Sequence, residues 1–347
     1  MRASLAGFAG RVVEWQARHG RSGLPWQATR DPYRVWLSEV MLQQTQVSTV
    51  LGYYERFLQR FPRVEDLAAA PLDDVLALWS GLGYYSRARN LHACAQQVAR
   101  EHGGVFPRSA LALQALPGIG RSTAAAIAAF CFGERVAILD ANVKRVLTRV
   151  LAFDEDIAVA AHERRLWEAA QQMLPGRGDD MPGYTQGLMD LGATVCSVRR
   201  PECPQCPAQA LCAAHAAATQ EHYPKRTRVV RRRAESLWLL HARRADGAVW
   251  LHRRPDRGVW AGLYCLPAFA SFDDLRQAVT GDTAALEEGA AFVHALTHKE
   301  LHLHPVSLRV AADAQATPAG AGQWWEADRW TSLGLPAPVR RFLLAAP

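Results

Sequence analysis

Nothing in this 347-residue chain approaches a run of about 18 apolar residues, which excludes a transmembrane helix. The N-terminus, MRASLAGFAGRVVEW, has no signal-peptide core and continues as an amphipathic helix, so a soluble cytoplasmic protein is expected. There is no internal repeat and no low-complexity tract beyond short alanine runs. Strand-like alternation is missing before residue 223, so a sheet is expected only after that point. Nor are the seven cysteines spread as a disulfide framework would be. Cys94, Cys131 and Cys265 stand alone and read as small buried residues, while the other four fall together between 196 and 212. In a reducing compartment such a cluster points to metal rather than to disulfides. A net charge of +7 is compatible with an anionic partner without requiring one.

What is present is organised around residues 116–145, LPGIGRSTAAAIAAFCFGERVAILDANVKR. Leu116, Pro117, Gly118, Ile119 and Gly120 make a tight hairpin, whose two glycines permit positive φ and leave backbone N–H groups uncovered. A short helix with Ala110, Leu111 and Leu113 precedes it, and an Ala/Ile-rich helix runs from Arg121 to a C-cap at Gly133. Helix, glycine hairpin, helix aims backbone donors at an anion, a phosphate above all. Val143, Val146, Leu147, Val150 and Leu151 then recur at helical spacing. That places Asp140 at the N-cap of the next helix, its carboxylate at the positive end of the dipole. Taken alone, this describes a capping residue.

Helical spacing also marks 5–19, 33–60, 72–101 and 161–174. The expected organisation is an all-α domain over 1–222, a basic linker over 223–236 containing KRTRVVRRR, and a smaller α+β domain over 237–347. In the last, a hairpin is expected over 237–251, with strands near 259–266, 291–296 and 301–310, and helices at 271–279 and the C-terminus. His294, His302 and His304 alternate as strand residues do.

The cysteine cluster reads Cys196-x6-Cys203-x2-Cys206-x5-Cys212. Four thiolates suit either a 4Fe–4S cluster or tetrahedral zinc. Zinc ribbons usually show two close Cys-x-x-Cys pairs and here there is one, so the spacing favours iron–sulfur.

Together with LPGIG and the Asp140 region, this spacing resembles the helix–hairpin–helix DNA glycosylase superfamily, over roughly residues 5–215. The resemblance implies two helical lobes with DNA in the cleft, the hairpin on the phosphate backbone, and a 4Fe–4S cluster on Cys196, Cys203, Cys206 and Cys212. It makes Asp140 the hallmark aspartate. Arg199 and Arg200, in the first cluster loop, become candidates for phosphate contact. Endonuclease III carries a lysine two residues past the second glycine, which forms a Schiff base with the sugar; here that position is Ser122. A serine makes no imine, which favours a monofunctional enzyme. The segment Ser38-Glu-Val-Met-Leu-Gln-Gln-Thr45, with Leu24-Pro-Trp26, Gly81–Asn90 and Met189–Ala193, resembles the MutY-type, adenine-specific branch. That branch acts on double-stranded DNA carrying adenine opposite 8-oxoguanine or guanine. A monomer associated with the nucleoid is expected.

The chemistry stands beside the resemblance. Cleaving an N-glycosidic bond requires one carboxyl that donates a proton to the leaving base and one that stays anionic beside the sugar cation. Glu39 lies in an apolar run (Val35, Trp36, Leu37, Val40, Met41, Leu42), where desolvation would raise its pKa and suit it as the acid. Asp140, beside Asn142, is expected to stay ionised as the cation stabiliser. By resemblance, Gln44 and Tyr84 intercalate when the adenine is flipped out, while Arg21, Trp26 and Gln186 line the adenine pocket, with Ser122 nearby. Lys144 matches a lysine near the site and is expected to contact DNA.

The C-terminal segment Gly258-Val-Trp-Ala-Gly-Leu-Tyr-Cys-Leu-Pro267 resembles the MutT-like, Nudix-like domain that senses 8-oxoguanine. The glutamate-rich hydrolase box is missing: Glu287-Glu288 is preceded by Thr283 and Ala284 where Arg and Glu would stand. Nucleotide hydrolysis is therefore not expected. Leu296, Thr297 and His298 match the usual Phe-Ser-His recognition loop, with the aromatic residue lost and the hydroxyl kept. Two alternatives remain open: a bifunctional glycosylase/lyase, and a non-catalytic iron–sulfur DNA-binding protein.

Overall fold

A computed structural model describes residues 7–227, 232–280, 283–311 and 319–345. Twelve helices precede the strands in chain order among the described residues: α1 (Phe8–His19), α2 (Pro32–Leu42), α3 (Val47–Arg60), α4 (Val64–Ala69), α5 (Leu72–Leu78), α6 (Ser86–His102), α7 (Ala110–Leu113), α8 (Arg121–Phe132), α9 (Ala141–Val150), α10 (Ala160–Gln172), α11 (Met181–Asp190) and α12 (Ala213–Ala216). Packing divides the chain into two compact units, Met1–Ala68 with Ala93–Val229 and Ala69–His92 with Val230–Pro347.

The first unit is helical. Its core gathers α1, α8, α9, α10 and α11 around Phe8, Val12, Ala125, Ala129, Val143, Leu147, Leu166 and Leu188. Every residue of α8 from Thr123 to Ala129 is buried, and its alanines let neighbouring helices approach closely. α9 buries Val143, Val146, Leu147 and Val150, the face its spacing predicts. α11 escapes sequence reading because Pro182, Gly183 and Gly187 interrupt the pattern. Tertiary packing explains Gly187: a Cβ there would stand 2.8 Å from Val12 Cγ1 and 3.1 Å from Gln16 Cβ of α1. α11 runs straight into a π-helical turn, Leu191–Val195, where a Cβ on Gly192 would lie 2.5 Å from Asn142 Cβ.

The stretches expected as single helices over 33–60 and 72–101 are broken, at 43–46 and 79–85. Gln44 and Tyr84 sit in these two breaks with left-handed backbones, φ 56° and 48°.

The second unit is built on a mixed sheet with β1 (Arg233–Arg244), β2 (Val249–Arg253), β3 (Tyr264–Cys265), β4 (Ala268–Phe269), helix α13 (Phe272–Ala278), β5 (Glu287–Glu288), β6 (Phe292–Ala295), β7 (Lys299–Val310), β8 (Gln323–Trp325) and the final helix α14 (Ala337–Ala345). β1 and β7 pair in parallel from Arg233↔Lys299 to Arg244↔Val310. The other pairings are antiparallel: β2 and β4 on β1, β3 and β8 on β2, β5 and β6 on β7. Leu275, in the middle of α13, and Val279, just past its end, pack with Leu240, Trp250 and Val306 of the sheet.

Three details differ from the linear reading. β1 begins at Arg233, so the last residues of the expected 223–236 linker are strand; 228–231 lie outside the described residues. The strand expected over 259–266 shrinks to Tyr264–Cys265, because Gly258, Trp260 and Gly262 take positive φ and turn the chain. Residues 69–92 pack with the C-terminal unit through Ser80 Oγ and the Tyr85 hydroxyl, which donate to Leu335 O at 3.2 and 2.7 Å, and Arg89 Nη1, which donates to Ala261 O at 2.8 Å.

Candidate active site

Glu39 projects from α2 between buried neighbours, Ser38 and Val40 in sequence and Val35 and Trp36 one turn back. Burial, followed by the charge of Asp140, pushes its carboxyl up to about 7. Asp140 caps α9, accepting from the Val143 N–H at 2.7 Å. Burial also raises its pKa, against the opposing pull of the Val143 and Asn142 N–H groups and of Arg145 and Lys144. An N-cap by itself would predict the opposite direction, so desolvation outweighs the dipole here. The Asp140 charge adds to desolvation at Glu39, so ionising Glu39 beside an anionic Asp140 is disfavoured. One protonated acid beside one anion is the arrangement that assists departure of a base from a sugar.

The hairpin before α8 buries Leu116 and Ile119 and exposes Gly118 and Gly120. Gly118 has φ 73°, and a Cβ on Gly120 would meet nothing within 4 Å. Internal packing therefore does not require glycine at 120; an approaching ligand backbone would. Ser122 Oγ accepts from the Leu139 N–H at 3.1 Å and so steadies the strand-like approach to Asp140. Asn142 accepts from Arg145 Nη2 at 2.9 Å. Lys144 is ion-paired with Glu163 of α10, so it would reach a phosphate only by leaving that carboxylate.

Arg21, Trp26 and Gln186 are each held in place. Trp26 is buried edge-on against Tyr54, with ring centroids 5.3 Å apart. Arg21 Nε donates to Asp190 Oδ1 at 2.7 Å and its backbone N–H to Oδ2 at 3.0 Å, while Gln186 Nε2 donates to the same Oδ1 at 2.9 Å. Asp190 is 0% exposed. Sequence reading gave it no role, although it stands in the quoted Met189–Ala193 motif, four residues after Gln186 and therefore on the same helical face.

Cys196, Cys203, Cys206 and Cys212 line one small cavity, with Val146, Val150, Leu191 and Val195 as apolar wall. Arg149 is buried against it: Nη1 donates to Cys196 Sγ at 3.3 Å and to Ser197 O at 2.6 Å, and Nε to Gln220 O at 2.8 Å. Among the described residues no three His, Cys, Asp or Glu side chains are gathered closely enough for a single ion. Four thiols around one cavity, with guanidinium and amide donors turned to their sulfurs, are a donor set that fits an iron–sulfur cluster. Arg145 ties this loop to the Asp140 helix by donating from Nε to Cys196 O at 2.7 Å. Arg199 and Arg200 are exposed at its edge.

In the second unit, Leu296, Thr297 and His298 form the turn between β6 and β7, closed by the Leu296 N–H on Lys299 O at 2.7 Å. Thr297 and His298 are exposed. The Thr297 and Tyr84 hydroxyls hydrogen-bond at 2.9 Å, and the Arg87 guanidinium lies 5.5 Å from the Tyr84 ring centre.

Residues 37–172 match the helix–hairpin–helix superfamily of base excision DNA repair proteins, and 238–345 match the Nudix domain. An adenine DNA glycosylase of Buchnera aphidicola subsp. Baizongia pistaciae is 33% identical, over 97% of this chain and 95% of that protein. The chain belongs to the adenine DNA glycosylase family. The human adenine DNA glycosylase is 45% identical over 63% of this chain and 41% of its own. Among solved structures, a thermostable thymine-DNA glycosylase superposes with TM-score 0.55 at 29% identity, covering 62% of this chain and 98% of that one. An endonuclease III bound to DNA shares the fold at TM-score 0.52 and 20% identity, over 63% of this chain and 99% of that one. The glycosylase match spans Glu39, the hairpin and Asp140, so the carboxyl pair lies inside the shared helical domain of this adenine DNA glycosylase. Among the described residues no helix is long and apolar enough to cross a membrane.

Proposed function

We propose that this adenine DNA glycosylase hydrolyses the N-glycosidic bond of adenine opposite 8-oxoguanine or guanine in double-stranded DNA, without lyase activity. The observation that carries the reading is Glu39, lifted to about 7 by burial and by the neighbouring Asp140 charge. Near neutral pH it holds a proton in much of the population, which an ordinary glutamate does not. Glu39 gives that proton to the departing adenine as the bond to C1′ breaks. Asp140, anionic, stabilises the sugar cation. Glu39, now a carboxylate, takes a proton from the attacking water, whose oxygen bonds to C1′; the acid is thereby regenerated.

Ser122 supplies no amine for an imine, and its hydroxyl is committed to Leu139. Arg21, Trp26 and Gln186 receive the flipped base. Gln44 and Tyr84 fill the stack, and their left-handed backbones are the kind of strain found at working sites. Gly118, Gly120, Arg199 and Arg200 hold phosphates. Cys196, Cys203, Cys206 and Cys212 hold a 4Fe–4S cluster, which when bound supplies a charged anchor for the 196–212 loop. Thr297 and His298 read the 8-oxoguanine edge. The protein works inside the cell as a monomer.

Single-turnover excision on duplexes with adenine opposite 8-oxoguanine, guanine or thymine tests the reading, with and without alkaline strand cleavage. Adenine loss at the first two, with nicks only after alkali, is expected. Borohydride trapping of a turnover-competent adduct would establish the lyase instead, and intact adenine on cluster-loaded protein would leave only a DNA-binding role.

A further inference from the structure

We propose that Asp190 is a positioning residue that sets which way the Gln186 amide faces the base pocket, and that it thereby selects a purine carrying a 6-amino group. The inference rests on the reading of Gln186 as a pocket residue.

Asp190 ends α11 at 0% exposure, and its carboxylate accepts three hydrogen bonds. Two come from Arg21, through Nε at 2.7 Å and the backbone N–H at 3.0 Å; the third comes from Gln186 Nε2 at 2.9 Å. With both oxygens already accepting from Arg21, Asp190 presents an acceptor to Gln186 and so turns the Gln186 amide nitrogen toward itself. The amide oxygen and the second N–H of Gln186 are left free on the other side. An acceptor beside a donor complements the amino group and an adjacent ring nitrogen of adenine. It opposes an oxygen at position 6, which would set acceptor against acceptor. The Arg21 guanidinium pairs with the carboxylate in this dry setting, its Nε 2.7 Å from Asp190 Oδ1. Geometry holds the assembly in register: a Cβ on Gly20 would stand 3.0 Å from Asp190 Oδ2, and Thr194 Oγ1 donates to Asp190 O at 2.8 Å. Fixing an amide that would otherwise rotate is a specificity device, because either face of a free glutamine can meet a base.

The test compares single-turnover excision of adenine and of purine, which lacks the 6-amino group, each opposite 8-oxoguanine. In Asp190→Asn the side-chain amide cannot satisfy three donors, and Gln186 loses its fixed face. Adenine excision is expected to fall roughly 10–100-fold while purine excision falls much less, so the adenine/purine ratio drops about tenfold. An equal fall for both substrates in protein of unchanged melting temperature and iron content would overturn the proposal. Gln186→Ala should lower the ratio alike, and adding Asp190→Asn to it should change the ratio no further; a further change would show that Asp190 does not act through Gln186. An unchanged ratio in Gln186→Ala alone would instead remove Gln186 from the pocket, a failure of the underlying reading. Should Asp190→Asn not fold, Gln186→Glu tests the same contact. Two carboxyls would share a proton there, so the ratio should vary with pH, an effect of Glu39 cancelling between substrates. A pH-independent ratio would overturn the proposal.

Discussion

In the helical unit the groups proposed to carry chemistry are shielded from water: Glu39 and Asp140, half-buried, are both raised by desolvation, and Asp190 and Arg149 lie fully buried among donors and acceptors that satisfy them. In the sheet unit the side chains proposed to read DNA stand in water, Tyr84, Thr297 and His298 all being exposed. Its buried His241 and half-buried His252 are kept uncharged, each pushed down to about 4 by desolvation. Proton transfer to a poor leaving group needs a carboxyl whose pKa has been moved, and burial moves it. Recognition of a base edge needs only donors and acceptors that the base can reach, and burial would hide them.

The largest expected effect lies in the interior. Glu39→Gln and Asp140→Asn should each slow single-turnover excision by about 10²–10⁴-fold with duplex affinity changed little. If either variant kept near-normal excision, that residue's role would be lost and the contrast between the two units with it.

Next comes the penalty for holding Glu39 inside. Its pKa is about 7 in the fold against 4.5 for the ordinary group. Below the lower value it is protonated in both states. Between the two, the folded state holds the extra proton, so stability falls as pH rises and the full penalty is present above about 7. Glu39→Gln should therefore stabilise the protein by roughly 1–3 kcal/mol at about pH 8 and hardly at all at about pH 4, read by urea denaturation. Wild-type excision should decline through about pH 7 and above. An alkaline limb as flat as the neutral one would mean that Glu39 is not the acid.

Gly187→Ala probes the packing that supports the pocket. With 2.8 Å to Val12 Cγ1, the added methyl should lower stability by about 1–3 kcal/mol, seen in the urea midpoint. A neutral result would show that α1 and α11 can part without loss.

The smallest effects belong to the exposed surface. Thr297→Ala and Tyr84→Phe each delete one hydroxyl of a 2.9 Å pair. Each should reduce the preference for 8-oxoguanine over guanine by several-fold, about 0.5–1.5 kcal/mol, in competition between the two duplexes. Equal losses on both duplexes would move these hydroxyls from recognition to general support.

Much of this was legible in one dimension. The alternation starting after 233, the helical face of α9 and the N-cap at Asp140 follow from period and capping chemistry, which act over a few residues. The apolar run around Glu39 told that its carboxyl would be desolvated. Three things were not legible. α11 was not among the helical stretches read from spacing, and only the close approach of α1 explains its Gly187. Asp190 looked like any aspartate in a motif, because its partner Arg21 is 169 residues away. The direction of the Asp140 shift depended on how much protein covers it, which no local rule reports. By itself the sequence determined the domain kinds, the four-cysteine spacing and the apolar run and N-cap position in which the two proposed carboxyls stand, since each is a matter of residue type and spacing. Only the tertiary structure decided the register of the parallel β1–β7 pair, the three donors converging on Asp190 and the two hydroxyls meeting above the β6–β7 turn, because those depend on chain segments far apart in sequence being packed to within hydrogen-bond distance.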